Sequence, residues 1–446
     1  FGFTRFNNDN RLFIGAYGTG ARPVIDRNIR LGENDATLSE IAVHGIEIRG
    51  DYDAAAFPGT LPALGEGITH AGNVRGHVTV FDCRLEGMGT ALRQNGIEAP
   101  LVVADTEITN WQDFGMLVSD TDRLGLSGCH IHQKPDAVMN SDKTDAFPHH
   151  GPVRISKPVA GGAVSIRNSA LFTVGGWAGI DQQCIRWNAG GTRGARAVID
   201  GNLLEGGWYQ IAGHRTAESG GLATSSPGAL LIQRNLCVMS PGSVLALNIG
   251  YGGTTARNNL IIRPEVAISP LVQDDGAGPA AHAIGFVEDA GRQDPDAPAN
   301  HDQPVRIHHN SFVDLATDAQ LDPGGGTTLD GAAIAVGGDF FTDLDLAGNL
   351  VHAPNRTSPV TADGPLESAV LGAPRYAQWR GGYDITVNGT TYAAGTAHPS
   401  FAAPPDTISL YRPTTASPAL EAVPAAALDD FFGTLRGGKA ARGATE

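Results

Sequence analysis

The sequence predicts an all-β chain, a right-handed parallel β-helix of about ten coils with loop insertions and a C-terminal cap. Three observations predict it. A short pattern recurs with a basic spacing of 23 residues, period-2 alternation surrounds each copy, and helical periodicity is scarce throughout. The 59 glycines and 27 prolines suit a chain that turns often.

The recurring pattern is a small polar residue, any residue, then an aliphatic or Phe. Its anchors are Cys83, Thr106, Cys129, Ser169, Asn202, Asn235, Asn259, Asn310 and Asn349. The first intervals are 23 and 23; those that follow are 40, 33, 33, 24, 51 and 39. The excess over 23 reads as loop insertion, which a solenoid tolerates on one face. An alternating stretch precedes each anchor, as in Val78-Thr79-Val80-Phe81 and Val164-Ser165-Ile166-Arg167. A second short strand follows after a Gly-containing turn. These second strands are Thr90-Ala91-Leu92, Gly115-Met116-Leu117, Ala137-Val138-Met139, Cys184-Ile185-Arg186, Gln210-Ile211-Ala212 and Val244-Leu245-Ala246. Asparagine suits the anchor because amides stacked one coil apart, about 4.8 Å, can hydrogen-bond up the column.

The same register separates the cysteines. Cys83 and Cys129 fall two coils apart, roughly 9.6 Å by strand spacing, too far for a disulfide that needs Cα atoms within about 7 Å. Cys184 and Cys237 occupy non-equivalent positions, so four buried free thiols are expected. No CxxC pair points to a metal. Tyr383-Asp384-Ile385-Thr386-Val387-Asn388-Gly389-Thr390-Thr391-Tyr392 carries a hairpin signal, with Asn-Gly in a tight turn. The expected division is a β-helix over 1–375 and a hairpin and capping segment over 376–446, covering edges that would otherwise invite aggregation.

Net charge is −16, from 31 basic and 47 acidic residues, which argues against nucleic acid. Only Lys134, Lys143, Lys157 and Lys439 are lysine; the other basic residues are arginine. No run of 18 apolar residues implies a membrane span. Phe1 begins inside what reads as a strand, so a leader upstream of it is expected.

The opening Leu12-Phe13-Ile14-Gly15-Ala16-Tyr17-Gly18-Thr19-Gly20-Ala21-Arg22-Pro23 resembles the first coil of secreted bacterial β-helix proteins of the pectate-lyase-like superfamily. Ser417-Pro418-Ala419-Leu420 and Asp430-Phe431-Phe432-Gly433-Thr434-Leu435-Arg436-Gly437 resemble the ending of such chains. The resemblance implies the fold and a secreted or periplasmic location. It leaves the activity open among polysaccharide lyases, glycoside hydrolases, epimerases and phage depolymerases.

Residues just after the second strand should stack into an outer polar column. Read in order, they are His70, Arg93 to Asn95, Ser119-Asp120, Asn140 to Lys143, Arg186-Trp187-Asn188, His214-Arg215, Asn248 with Tyr251, and Glu288-Asp289. Such a column suits an extended sugar-binding groove; an ordinary solvated face is the other reading. The insertions between 129 and 259 would wall a cleft around it. The most polar of them, Asp142-Lys143-Thr144-Asp145-Ala146-Phe147-Pro148-His149-His150-Gly151, is otherwise a surface loop held by Asp–Lys pairing. Gly175-Gly176-Trp177 and Gly206-Gly207-Trp208 place aromatics one coil apart, either for stacking on sugar faces or for the core.

Three reaction classes fit. A lyase on a uronic-acid polymer needs one group to neutralise the carboxylate and a base for the proton on the adjacent carbon. Lys143, Arg186, His214, Arg215 and Tyr251 are the catalytic candidates. Asn140, Asp142, Asp145, His149, His150, Trp177, Asn188, Trp208 and Asn248 are the substrate-binding candidates. A hydrolase needs carboxylates at defined separation. Asp145 and Asp181 resemble the polygalacturonase positions, although Gln182 stands where a second Asp is expected and no Gly-His-Gly surrounds His214. A non-catalytic spike or adhesin would use the same groove without chemistry, but no heptad tail suggests a trimer, and a monomer is expected. No residue is assigned to a metal. Asp274-Asp275 and Asp294-Pro295-Asp296 offer oxygen ligands for Ca²⁺, or are simply solvated. The expected activity is elimination on an acidic polysaccharide.

Overall fold

A computed structural model describes the chain with gaps from residue 11 to residue 352, and short strands between 379 and 440 beyond that. Within 11–352 the longest gaps are 134–150, 214–229, 265–281, 287–304 and 316–333. The described residues are all β, with no helix. They form two long parallel sheets, one of them strongly curled. This architecture is compatible with the parallel β-helix expected from the repeat.

The first sheet is 11-stranded and runs from Arg11–Gly15 to Leu344–Ala347, each strand pairing in parallel with its counterpart in the next repeat. The curled sheet contains two ladders. One begins directly after the anchors, as in His130–His132, Ala170–Gly175 and Leu203–Gly207, and includes Glu47–Arg49 of the rung before Cys83. The other holds the second strands, including Glu66–Ala71, Gly151–Ser156, Gln183–Asn188, Tyr209–Gly213 and Leu245–Ile249. Arg84–Asn95 and Glu107–Ser119 each run unbroken through both ladders. They turn the corner at Gly87 (φ 78°) and Asn110 (φ 57°).

One rung is a first-sheet strand, its anchor and the strands that follow. Like residues stack on like from rung to rung. Val43, Val80, Val103, Leu126, Ile166, Ile199, Ile232, Ala256 and Ile307 form one inner row of the first sheet. Ile48, Leu85, Ile108, Ile131, Leu171, Leu204, Cys237, Ile261 and Phe312 form another, behind the anchors. All of these side chains are buried, so each rung extends the same apolar core by one layer.

The anchors join as the repeat requires. Asn202 donates through Nδ2 to Asn235 Oδ1 (2.9 Å) and to the Ile166 carbonyl (3.0 Å). Its backbone N–H donates to the same Asn235 oxygen at 3.1 Å. Asn235 repeats this toward Asn259, Asn259 toward Asn310, and Asn310 toward Asn349. Earlier in the chain hydroxyls serve: Ser169 Oγ accepts from the Cys129 N–H (3.2 Å) and Thr106 Oγ1 from the Cys83 N–H (3.4 Å). Cys83 and Cys129 are separated by the rung of Thr106, and all four cysteines are buried free thiols. Burial pushes the Cys129 thiol up to about 11.

The residue before each anchor from Cys83 to Asn310 is left-handed, as is Gly45 before Ile46 at the equivalent point of the preceding rung, a feature the pattern did not expose. These residues are Gly45, Asp82, Asp105, Gly128, Asn168, Gly201, Arg234, Asn258 and His309, with φ between 47° and 68°. Gly, Asn and Asp tolerate this region. Arg234 does not favour it, but its guanidinium grips Asp200 with two hydrogen bonds, one from Nε at 2.7 Å.

The second strand of the rung starting at Cys129 is Gly151–Ser156, paired with Glu107–Ser119 and Gln183–Asn188. Ala137-Val138-Met139, expected there, lies outside the described residues, and the parallel neighbours on both sides bond to 151–156. The Asn-Gly hairpin forms as expected, Ile385–Val387 pairing antiparallel with Thr390–Tyr392.

Three stability outcomes are expected. Asn235→Ala leaves the Asn202 N–H without its acceptor in the next rung and should cost roughly 1–3 kcal/mol or more. Ser165→Ala, on an outward position, should cost less than about 0.5 kcal/mol. Gly201→Ala should cost about 1–2 kcal/mol, since its φ is 68° and the new Cβ would lie 2.9 Å from Asn168 Oδ1. Denaturant midpoints read all three. Equal midpoints for Asn235→Ala and Ser165→Ala would mean that the amide column carries no load.

Candidate functional site

The second ladder positions the site through strand alternation. Ile68, Leu92, Met116, Val153, Ile185, Ile211 and Leu247 stack inward on successive rungs. The next residue of each strand points away from the core. That outer row reads Arg30, Thr69, Arg93, Leu117, Arg154, Arg186, Ala212 and Asn248. Four of the eight are arginine, on a chain of net charge −16.

Each guanidinium has a setting. Arg93 donates to Glu66 Oε1 at 2.7 Å. Arg154 donates from Nε to Ser156 Oγ at 3.3 Å, and its guanidinium lies 5.6 Å from the centroid of the Phe114 ring. Arg186 is only 4% exposed, which corrects the expectation of a solvated groove face at that point. Alternation sets its direction, but the covering of the outer side there decides its exposure. Burial works to raise the Glu66 carboxyl. Hydrogen bonds from Thr69 (2.6 Å) and Arg93, with the charges of Arg93 and Arg30, outweigh burial and hold it below the ordinary value. Glu66 therefore stays ionised and positions Arg93.

At the N-terminal end of this row lies a cleft of about 900 Å³. Arg27, Arg30, Arg49 and Arg93 line it together with Asp26, Asp51, Glu66 and Asp113. Arg49 is engaged by Glu47, through Nε at 2.8 Å. The cleft and the row thus present planar, bidentate cations toward one outer side, an arrangement suited to carboxylates.

Several expected positions change. His70, Gln94 and Trp187 are buried and share the inward-facing register of the ladder, because each is two residues beyond a core position. Arg154 and Ser156 stand beside Arg186 and Asn188, where 140–143 were expected. Asn188 and Asn248 keep their expected strands; Asn248 belongs to the Arg186 row and Asn188 to the neighbouring one. Gly175 pairs with Gly207 on the adjacent rung. Asn140, Asp142, Lys143, Asp145, His149, His150, Trp177, Trp208, His214, Arg215 and Tyr251 lie outside the described residues, as do Asp181, Asp274-Asp275 and Asp294 to Asp296. Arg30, Arg49 and Arg154 were missed. Counting back from the anchors of the first two rungs, or locating the strand at 151–156, would have found them.

Comparison of the chain with family models, with curated proteins and with solved structures finds no match.

His70 provides a pH-dependent outcome. It is 1% exposed, and burial lowers its pKa from 6.5 to about 4. Between those values the unfolded chain binds a proton that the folded chain does not. Stability should therefore fall as pH drops from about 6.5 to about 4 and should level off below. His70→Leu should remove that part of the slope, seen as a denaturant midpoint rising most, relative to the parent, near pH 4. A parallel pH profile in both proteins would show that His70 titrates normally.

Proposed function

We propose that the chain is a secreted or periplasmic right-handed parallel β-helix of about ten coils, acting as a polysaccharide lyase on a uronic-acid-containing polymer. The arginine row is the observation that carries this reading. Arg30, Arg93, Arg154 and Arg186 share one outer register of the second ladder. Rungs lie about 4.8 Å apart, so the row presents cations at repeated intervals along one direction. A polymer with a carboxylate on its repeating sugars is the ligand such a row recognises, chain axis along the rungs.

Elimination follows from the same chemistry. A guanidinium on the uronate carboxylate stabilises the negative charge that builds when the proton on the adjacent carbon is withdrawn. Arg154, half-buried on the outer row, is assigned this role, with Arg215 as a further candidate. Lys143 or His214 is assigned the base and Tyr251 the proton donor to the leaving oxygen. The protein acts as a monomer.

The test is incubation with a panel of acidic polysaccharides, followed by the ultraviolet absorbance of the unsaturated uronate that elimination creates and hydrolysis does not. Arg154→Ala should lower kcat/KM by about 10²-fold, with partial rescue by Arg154→Lys and little change in melting temperature. New reducing ends without ultraviolet absorbance, lost in Asp181→Asn, would establish a hydrolase instead. Binding without either product would establish a non-catalytic glycan-binding protein.

A further inference from the structure

On the other ladder, directly behind the anchors, three ligating side chains converge. Strand Glu107–Ser119 places Glu107 beside His130 of the next rung, and strand His130–His132 projects both imidazoles to the same outer side. A carboxylate oxygen of Glu107 and one ring nitrogen from each histidine all lie within 4.8 Å of one another. We propose that Glu107, His130 and His132 form a binding site for one divalent transition-metal ion, with zinc as the representative occupant.

Four observations support it. The donor set is two imidazoles and one carboxylate, which zinc accepts as three protein ligands while keeping a fourth position open. Modest side-chain rotation brings such atoms to the ~2.0–2.2 Å that zinc requires. His132 holds its Nδ1 3.2 Å from the Gln133 carbonyl. Gln133 is itself tied by its side chain to the Trp111 carbonyl at 2.5 Å. An N–H at Nδ1 leaves the Nε2 lone pair aimed at Glu107 Oε1, 3.5 Å away. With that tautomer a cation between the Nε2 and Oε1 atoms satisfies both lone pairs, and a backbone carbonyl behind a ligating imidazole is the usual outer support.

The carboxylate is held as well. Arg84 Nε lies 3.4 Å from Glu107 Oε2, which leaves Oε1 for the histidine side. The His130 and His132 rings stack at 4.1 Å, and the Phe172 edge packs against His130 at 5.4 Å, so the trio is walled on one flank. The site is nonetheless open to ions, since the His132 and Glu107 side chains keep 22% and 37% exposure.

The full chain, freed of metal with a chelator, is titrated with zinc chloride by calorimetry. The expected result is one equivalent bound, weakened by more than about 100-fold in His132→Ala and in His130→Ala, beyond the loss typical of outer-shell changes. Glu107→Gln should also weaken it. His44→Ala, a histidine on the first sheet near Asp82, should leave it unchanged. Cobalt chloride added to the unmodified protein should give intense visible bands of a low-coordinate site, a readout that needs no variant. No zinc heat, or the same affinity in the His130→Ala/His132→Ala double variant, would overturn the proposal and leave a plain His132–Glu107 ion pair. The trio belongs to a different ladder from the arginine row, so metal affinity is read independently of any action on polysaccharide.

Discussion

The amide column is the interaction on which the rest depends. A rung turns sharply at each anchor, and that turn buries backbone groups which first-sheet pairing cannot reach. Asn235, Asn259 and Asn310 each tie the rung before to the rung after with one side chain, accepting twice and donating twice, while Asn202 donates twice and accepts once, from the Ser169 N–H. Because every member is satisfied, the column strengthens a low-dielectric interior that an unpaired amide would weaken. It also sets register. An anchor can slip only if its neighbours on both sides lose their bonds, so the aliphatic rows behind it stay aligned.

That alignment has electrical consequences. Stacking like on like suits valine and isoleucine, whose contacts improve with repetition, but it sets like charges about 4.8 Å apart. The arginine row meets this by dilution and by counter-charge. Thr69 and Leu117 alternate with Arg30, Arg93 and Arg154, and Glu66 sits against Arg93. Arg154 and Arg186 are the exception, adjacent with no neutral residue between them.

The Glu107, His130 and His132 trio arises from the same register rule in a different way. A strand of the pattern small–x–aliphatic places two residues outward around each buried aliphatic. His130 and His132 flank Ile131, and Glu107 flanks Ile108 one rung before. The repeat that packs Ile108 on Ile131 therefore brings the three ligands together without a dedicated loop.

The sequence by itself determined the rungs: the anchors, the separation of Cys83 from Cys129, most second strands and the Asn-Gly hairpin were all legible. Each depends on local periodicity or on counting at one interval, and amides or β-branched side chains repeat because each rung meets the same neighbours. Three things were decided only by tertiary structure. The second strand of the Cys129 rung is Gly151–Ser156, since more than one stretch satisfies the strand pattern and only the parallel partners on either side select this one. Arg186 faces outward yet is buried, since alternation gives direction and not covering. The meeting of Glu107 with His130 and His132 crosses rungs, and the distance between side-chain tips is a property of stacked strands, not of any one of them.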